Sequence, residues 1–293
     1  MTAPVVHKRS GAAVKAKTLV EALPYIRAYR GQTIVVKIGG TALEDGRFAG
    51  LVAEDLALMA FVGIQVIVVH GGGPQVSQAM SEAGIVPAFA NGLRVTDEAA
   101  IEVVRRVLIG TVNGDLVMKL CGAGLAAVGL WGGDGGLVAA SFLEPSSGPD
   151  LGRVGRVTAV RPELLYSLLD GGYTPVIASV APGDDGLPLN INADAVAASI
   201  AASVGAAKLV YMTNVEGLYR DLGDAGSLVS ELELDELSGM IGNFSAGMRP
   251  KAASAKHALE SGVGRVHILD GRVEHALLLE VFTNEGIGTL VLP

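Results

Sequence analysis

Apolar runs of five or six residues, rich in Val and Ile, recur along this chain, and each ends in a glycine cluster that opens into a helical pattern. Thr33 to Ile38 ends in Gly39-Gly40, and Gln65 to Val69 ends in His70-Gly71-Gly72-Gly73-Pro74. Strands that lack inside–outside alternation are buried on both faces, which demands helices above and below a parallel sheet. The same unit returns at 174–178, 208–212 and 265–269, and a last strand is expected at 288–292. The pattern predicts an α/β fold with an open, mainly parallel central sheet and helices on both faces. Helices are expected at about 45–62, 97–109, 112–121, 161–170, 193–204, 233–240, 250–261 and 273–280. Thr96 is the expected N-cap of the helix that begins with Asp97-Glu98. Shorter, hairpin-like strands are expected at about 126–130, 136–141 and 153–159.

Residues 1–17 hold five basic or potentially basic side chains, no acid and no apolar periodicity. They read as a disordered basic arm. Residues 18–31 read as an N-terminal helix interrupted by Pro24. The polar, turn-rich stretch from Pro182 to Asn190 reads as a loop separating two lobes, 32–185 and 186–293.

Charge narrows the function classes. The 30 acidic and 22 basic residues give a formal charge of −8, which argues against nucleic acid or an anionic membrane as partner. Cys121 is the single cysteine, so the chain has no internal disulfide or cysteine metal site and suits a cytoplasmic location. The sequence shows neither a signal peptide nor an apolar run long enough to span a bilayer. Only eight lysines occur, three of them in the first seventeen residues. A lysine inside an apolar strand or beside a glycine turn is therefore a candidate for chemistry.

Lys37, in Val35-Val36-Lys37-Ile38-Gly39-Gly40, places an ammonium on an apolar strand beside bare backbone amides, a cradle for an anion. The same lysine at a sheet edge would simply reach solvent. His70 to Pro74 offers glycines and a helix N-terminus to a carboxylate or phosphate, although a tight strand-to-helix turn would use them equally. His70 itself reads as a packed, hydrogen-bonded residue. Arg94, in Asn91-Gly92-Leu93-Arg94-Val95-Thr96, can clamp a carboxylate or form a surface salt bridge. In Asn190-Ile191-Asn192-Ala193-Asp194, one side chain suffices to cap the next helix, which leaves the others free. Lys251 opens a helix at the end that disfavours a cation, unless an anion is bound there.

Two lysines, glycine turns and an Asp, with no cysteine or Ser-His-Asp pattern, point to phosphoryl transfer by charge neutralisation. No lysine follows a glycine, so a P-loop is excluded. A dinucleotide-binding reductase and a non-catalytic amino-acid sensor are the competing classes.

Taken together and in order, Val36 to Gly40, His70 to Pro74, Asn91 to Thr96, Asn190 to Asp194, Thr213 to Tyr219 and Gly247 to Lys251 resemble the amino acid kinase family over residues 18–293. The resemblance implies ATP-dependent phosphorylation of the γ-carboxylate of N-acetyl-L-glutamate in arginine biosynthesis, with Mg2+ accompanying ATP and no metal site in the protein. The first lobe would hold the amino acid and the second the nucleotide. Lys37 and Lys251 would stabilise the transferring phosphoryl group and Asp194 would orient them. Gly72, Gly73, Arg94, Asn190 and Asn192 would bind the amino acid. Gly39, Gly40, Thr213, Asn214, Gly217, Leu218, Tyr219, Gly247 and Met248 would join the lysines around ATP. Kinases of carrier-linked aminoadipate look similar but lack the Gly-Leu-Arg-Val-Thr form at 92–96. Asn214 departs from the Asp that is commoner at that position. Arginine-inhibited members resemble this chain at both ends, implying an L-arginine site at Tyr25, Lys208, His267, Glu280 and Gly286. In those members the N-terminal helix interlaces dimers into a hexamer.

Overall fold

The computed structural model describes residues 5–39, 43, 46–144, 149–220, 224–245, 247–283 and 286–293. Helix α1 (Val5–Tyr29) leads into β1 (Thr33–Ile38), α2 (Gly46–Phe61), β2 (Gln65–His70) and α3 (Gly73–Glu82). A hairpin of β3 (Phe89–Ala90) and β4 (Leu93–Arg94) follows, turning through Asn91 and Gly92, both at positive φ. Then come α4 (Glu98–Arg105), a π-helical segment (Arg106–Val112), α5 (Asn113–Gly122), β5 (Ala127–Trp131), β6 (Val138–Phe142), β7 (Val154–Val160), α6 (Glu163–Asp170) and β8 (Thr174–Ala178). After β9 (Val180–Pro182) and β10 (Pro188–Ile191) the chain runs through α7 (Ala193–Ser203), β11 (Lys208–Thr213), β12 (Leu218–Tyr219), β13 (Leu228–Val229) and β14 (Glu231–Glu233). It finishes with α8 (Leu234–Met240), α9 (Arg249–Glu260), β15 (Val266–Asp270), α10 (Ala276–Phe282) and β16 (Thr289–Leu292).

Eight strands form one sheet in the order β14-β16-β15-β11-β1-β2-β8-β5, parallel at every pairing except β15 with β16. The chain leaves β1 first towards β2, β8 and β5, and later towards β11 and β15. The order therefore reverses beside β1, which is where open α/β sheets bind ligands, beyond the carboxyl ends of the strands. Alternation sorts the side chains onto two faces. Val35, Ile67, Val69, Leu209 and Tyr211 pack beneath α7 and α9, whose contact faces are built from Ala197, Ala201, Ala252 and Ala255. Ile34, Val36, Val68, Val210 and Met212 pack against Leu56 and Met59 of α2, Leu120 of α5 and Leu277 of α10. Lys37 shares the face of Val35, so its ammonium is carried towards α7.

Four expectations are corrected. Residues 5–17, read as part of a disordered arm, belong to α1. A lack of apolar periodicity does not exclude helicity, since Ala and Lys at 12, 13 and 15–17 are good helix formers. Pro24 lies inside the same helix. The loop read across 182–190 is a hairpin in which β10 pairs antiparallel with β9 and parallel with β7. Two prolines and very short strands hid it. The N-cap of α4 is Asp97, whose side chain accepts from the Ala100 amide, and not Thr96. The two helices expected at 97–109 and 112–121 form one helical path through the π-helical segment.

Candidate active site

Three charged side chains converge above the carboxyl end of β1. Asp194 stands in the first turn of α7, where Asn192 caps the helix by accepting from the amides of Asp194 and Ala195 at 2.8 and 3.2 Å. Lys37 Nζ lies 2.9 Å from Asp194 Oδ1, and Lys251 Nζ, from the first turn of α9, lies 2.9 Å from Oδ2. Burial alone would raise the Asp194 carboxyl, but the ammonium groups of Lys251 and Lys37 outweigh it and hold it well below the usual range. Burial pushes Lys251 down to about 8, against the pull of Asp194. Tyr211 lies beneath the trio: its hydroxyl donates to the Asp194 carbonyl at 3.2 Å and its ring centroid is 5.0 Å from Lys251 Nζ. With both lysines charged, the trio carries a formal charge of +1 in a buried setting. Two helix N-termini add to it, so the site attracts an anion.

A cleft lined by Gly71, Gly72, Gly73, Arg94, Asn190 and Asn192, among others, reaches Ala193, the neighbour of Asp194. Arg94 is only 8% exposed. Its guanidinium donates to the Gly73 carbonyl (2.8 Å), Ser77 Oγ (2.7 Å) and Met80 sulfur (3.2 Å), and stacks 4.7 Å from the Phe89 ring. No carboxylate among the described residues pairs with it, and burial depresses its pKa. A buried cation without a counterion is a receptor for one. Gly72 is required here by close approach, since a Cβ would meet Leu108 Cδ2 of the π-helical segment at 2.6 Å. Asn190 donates through Nδ2 to Thr96 Oγ1 at 3.1 Å. His70 is fully buried, with Nδ1 2.9 Å from the Gly71 carbonyl and Nε2 2.9 Å from Asn113 Nδ2. Burial lowers it to about 4, so it is a neutral structural group.

The remaining expected positions divide. Gly39 was expected to offer its N–H to phosphate, but that N–H donates to the Met212 carbonyl at 3.2 Å. Gly40 lies outside the described residues. Gly73 opens α3, where the first amides have no acceptor within the helix. Thr213, Asn214, Gly217, Leu218 and Tyr219 form a separate group at and beyond the carboxyl end of β11. There the Leu218 amide donates to Thr289 Oγ1 at 2.8 Å, and a Cβ on Gly217 would meet that oxygen at 2.5 Å. Tyr219 donates to Glu216, and Thr213 Oγ1 lies 3.5 Å from Asn214 Oδ1. Gly247 and Met248 lead into α9, with Met248 packed on the core.

At the other end of β11 a second polar cluster is buried. His267 Nδ1 lies 2.6 Å from Glu280 Oε1, and Glu280 Oε2 accepts from the Ile287 amide at 3.1 Å. A Cβ on Gly286 would touch that carboxylate. Lys208 sits 4.7 Å from the Tyr29 ring of α1, and burial lowers it to about 8. Tyr25 packs on the neighbouring apolar core. Four of the five expected positions thus meet. Tyr29, which covers the lysine, was missed.

Sequence reading also missed Arg153, Thr96 and Asn113 as organisers of the cleft. Arg153 holds Asp185 through Nη2 at 2.9 Å, the Pro188 carbonyl at 2.9 Å and Glu98 at 3.4 Å. Their links to Asp185, Asn190 and His70 span 32 to 94 residues of sequence, so no local pattern marks them.

The amino acid kinase family model matches residues 32–270. The acetylglutamate kinase of Symbiobacterium thermophilum is 49% identical over 285 residues, covering 95% of this chain and 97% of that protein. Among solved structures, the N-acetylglutamate synthase of Neisseria gonorrhoeae with coenzyme A and N-acetyl-glutamate superposes with a TM-score of 0.85 at 31% identity. That match covers 95% of this chain, which spans 63% of the synthase. The same synthase with coenzyme A and L-arginine gives a TM-score of 0.81 at 29% identity, covering 94% of this chain and 65% of that one. With the family model matching most of its length and a relative 49% identical along 95% of it, this chain belongs to the amino acid kinase family.

Proposed function

We propose that the chain is an ATP-dependent kinase of the γ-carboxylate of N-acetyl-L-glutamate, forming N-acetyl-L-glutamyl 5-phosphate in arginine biosynthesis. The observation that carries this reading is the pairing of a net-positive Lys37–Asp194–Lys251 trio with a cleft whose buried Arg94 lacks a carboxylate. The attacking carboxylate is already ionised, so no general base is needed; the protein's task is to bring anions together. In this reading Arg94 and Asn190 hold the α-carboxylate and acetamido end. Asn192 shapes the cleft through its cap, and the N-terminus of α3 with Gly72 and Gly73 faces the amino acid. The γ-carboxylate then lies towards the lysines. Each ammonium exchanges part of its contact with Asp194 for phosphoryl oxygens as charge spreads in the transition state, while Asp194 keeps both lysines aimed. Gly39, Gly40, Thr213, Asn214, Gly217, Leu218, Tyr219, Gly247 and Met248 would surround the nucleotide, and residues 32–185 and 186–293 would serve as the two lobes.

Mg2+ would enter with ATP. Among the described residues no group of three or more His, Cys, Asp or Glu side chains can hold a metal, and both Asp194 oxygens face lysines. Phosphate oxygens would be the metal's main donors.

Arginine inhibition is proposed on a separate observation, the buried Glu280 carboxylate between His267 and Lys208 beside α1. A guanidinium entering there would pair with Glu280. Exposed Leu19 and Val20 on α1, and Phe61 on α2, support homo-oligomers, a dimer through α2 and a hexamer through α1. A cytoplasmic location rests on the single cysteine.

The substrate reading is tested by ADP release with N-acetyl-L-glutamate, glutamate, aspartate, carbamate and UMP offered in turn. Turnover confined to the acetylated amino acid is expected. Turnover of free glutamate in its place would reject the reading.

A further inference from the structure

Thr96 is completely buried, caps nothing, and has every polar atom engaged. Its amide donates to the Leu151 carbonyl at 2.9 Å, its carbonyl accepts from the Arg153 amide at 2.6 Å, and a Cβ on Gly152 would lie 2.4 Å from that carbonyl. The main chain of Thr96 is therefore pinned to the strand beside β10, and only the hydroxyl is free to choose partners. It lies 2.9 Å from the Arg94 carbonyl and 3.1 Å from Asn190 Nδ2. A hydroxyl has one proton. In the β3–β4 hairpin, Ala90 with Leu93 and Ala88 with Val95 are the hydrogen-bonded pairs, so Phe89 with Arg94 is a non-hydrogen-bonded pair. The Arg94 carbonyl thus gets no donor from the ladder, and the Thr96 proton is committed to it.

With that proton spent, Thr96 Oγ1 can only accept from Asn190. This fixes which way the Asn190 amide points: Nδ2 goes to Thr96, and Oδ1 remains as the group Asn190 presents to the cleft. The Asn190 backbone cannot compensate, because its own amide is held by the Arg153 carbonyl at 2.9 Å. We infer that Thr96 is a positioning residue that sets the hydrogen-bond polarity of Asn190, making the cleft select a substrate carrying an N–H donor at its α-nitrogen, a secondary amide, over the corresponding ester. The inference rests on the proposed substrate class and adds what enforces it. Asn190 Oδ1 meets the amide N–H of an N-acylated amino acid as an acceptor should. Against 2-acetoxyglutarate, whose ester oxygen has no proton, it faces lone pairs, and the mismatch leaves a buried polar pair unsatisfied.

The test compares kcat/KM for N-acetyl-L-glutamate and for 2-acetoxyglutarate in the wild-type chain, in Thr96→Val and in Thr96→Ser. The wild-type protein should favour the amide by at least tenfold. Thr96→Val keeps the volume but removes the acceptor, so Asn190 can turn its NH2 towards the ester, and the ratio should fall about tenfold while the KM for ATP holds. Thr96→Ser restores the hydroxyl and should restore the ratio. An unchanged ratio in Thr96→Val, with both substrates weakened alike, would overturn the inference, as would a Thr96→Ser that behaves like Thr96→Val. A wild-type ratio near one overturns it without any variant. If the wild-type chain turns over neither compound, the substrate reading itself fails, a result distinct from turnover without discrimination.

Discussion

Replacing Arg94 with Met separates a binding group from a structural strut, because the two roles predict opposite outcomes. Arg94 as a residue is 8% exposed, and its guanidinium has no acidic partner among the described residues and lies near Met80 and Phe89 in the cleft that Val76 and Leu108 also line. Burying an unpaired cation costs several kcal/mol, and its bonds to Gly73 O and Ser77 Oγ offset that by about 1.5–3 kcal/mol each. Methionine fills a similar volume without the charge. The unliganded variant should therefore stay within about 2 kcal/mol of the wild-type protein, a small shift in Tm. Substrate binding should change far more. A charge-assisted pair with a carboxylate in a desolvated cleft contributes about 3–4 kcal/mol, so the KM for N-acetylglutamate should rise about 10²- to 10³-fold with little change in the KM for ATP. Thermal melts with and without N-acetylglutamate, beside steady-state kinetics, read both quantities. The wild-type Tm should climb with substrate and the variant's should not. A variant that loses more than about 3 kcal/mol of stability yet keeps its KM would show that Arg94 holds the hairpin rather than the substrate.

Lys251, pushed down to about 8 by burial, should make activity fall as pH rises through that value, and Lys251→Arg should move the falling limb to higher pH. Stability should run the other way: a lysine with a lowered folded pKa destabilises the fold while charged, so stability rises from about pH 8 towards the unfolded value, with Lys208 adding the same sign. A limb that stays put in Lys251→Arg would remove Lys251 from the phosphoryl site. Gly152→Ala places a Cβ 2.4 Å from the Thr96 carbonyl at a φ of +66°, and should cost about 2–4 kcal/mol in chemical denaturation; a neutral result would refute the pinning of Thr96. Glu280→Gln should raise the arginine concentration needed for half-inhibition by at least tenfold, measured by ADP release, and unchanged inhibition would move the effector elsewhere.

The elements that carry the site were legible because their signals are local. β1 and β2 are runs of apolar residues closed by glycine, and Lys37 and Lys251 stood out through the scarcity of lysine. The pairing at 190–194 could also be reasoned from sequence, since one cap suffices: Asn192 takes it, and Asn190 and Asp194 are left to face the cleft and the lysines. What was hidden depends on contacts across the fold. Thr96 looked like a helix cap, yet its hydroxyl serves a carbonyl two residues back and an amide 94 residues ahead, so the cap passes to Asp97. Gly39 offered a bare amide in sequence, but strand pairing with β11 brought the Met212 carbonyl to it. The π-helical segment has no signal of its own, because shifting from i→i+4 to i→i+5 bonds changes register and not composition.

In the proposed reaction the paired lysines stabilise a phosphoryl group passing directly from ATP to the γ-carboxylate of N-acetyl-L-glutamate. Trapping with hydroxylamine reads that bond directly, since an acyl phosphate is converted to the γ-hydroxamate. The wild-type protein should release ADP and form hydroxamate one for one, and Lys37→Ala and Lys251→Ala should each lower kcat at least a hundredfold with a smaller change in KM. ADP release that proceeds without hydroxamate, or at the same rate without the amino acid, would contradict the account.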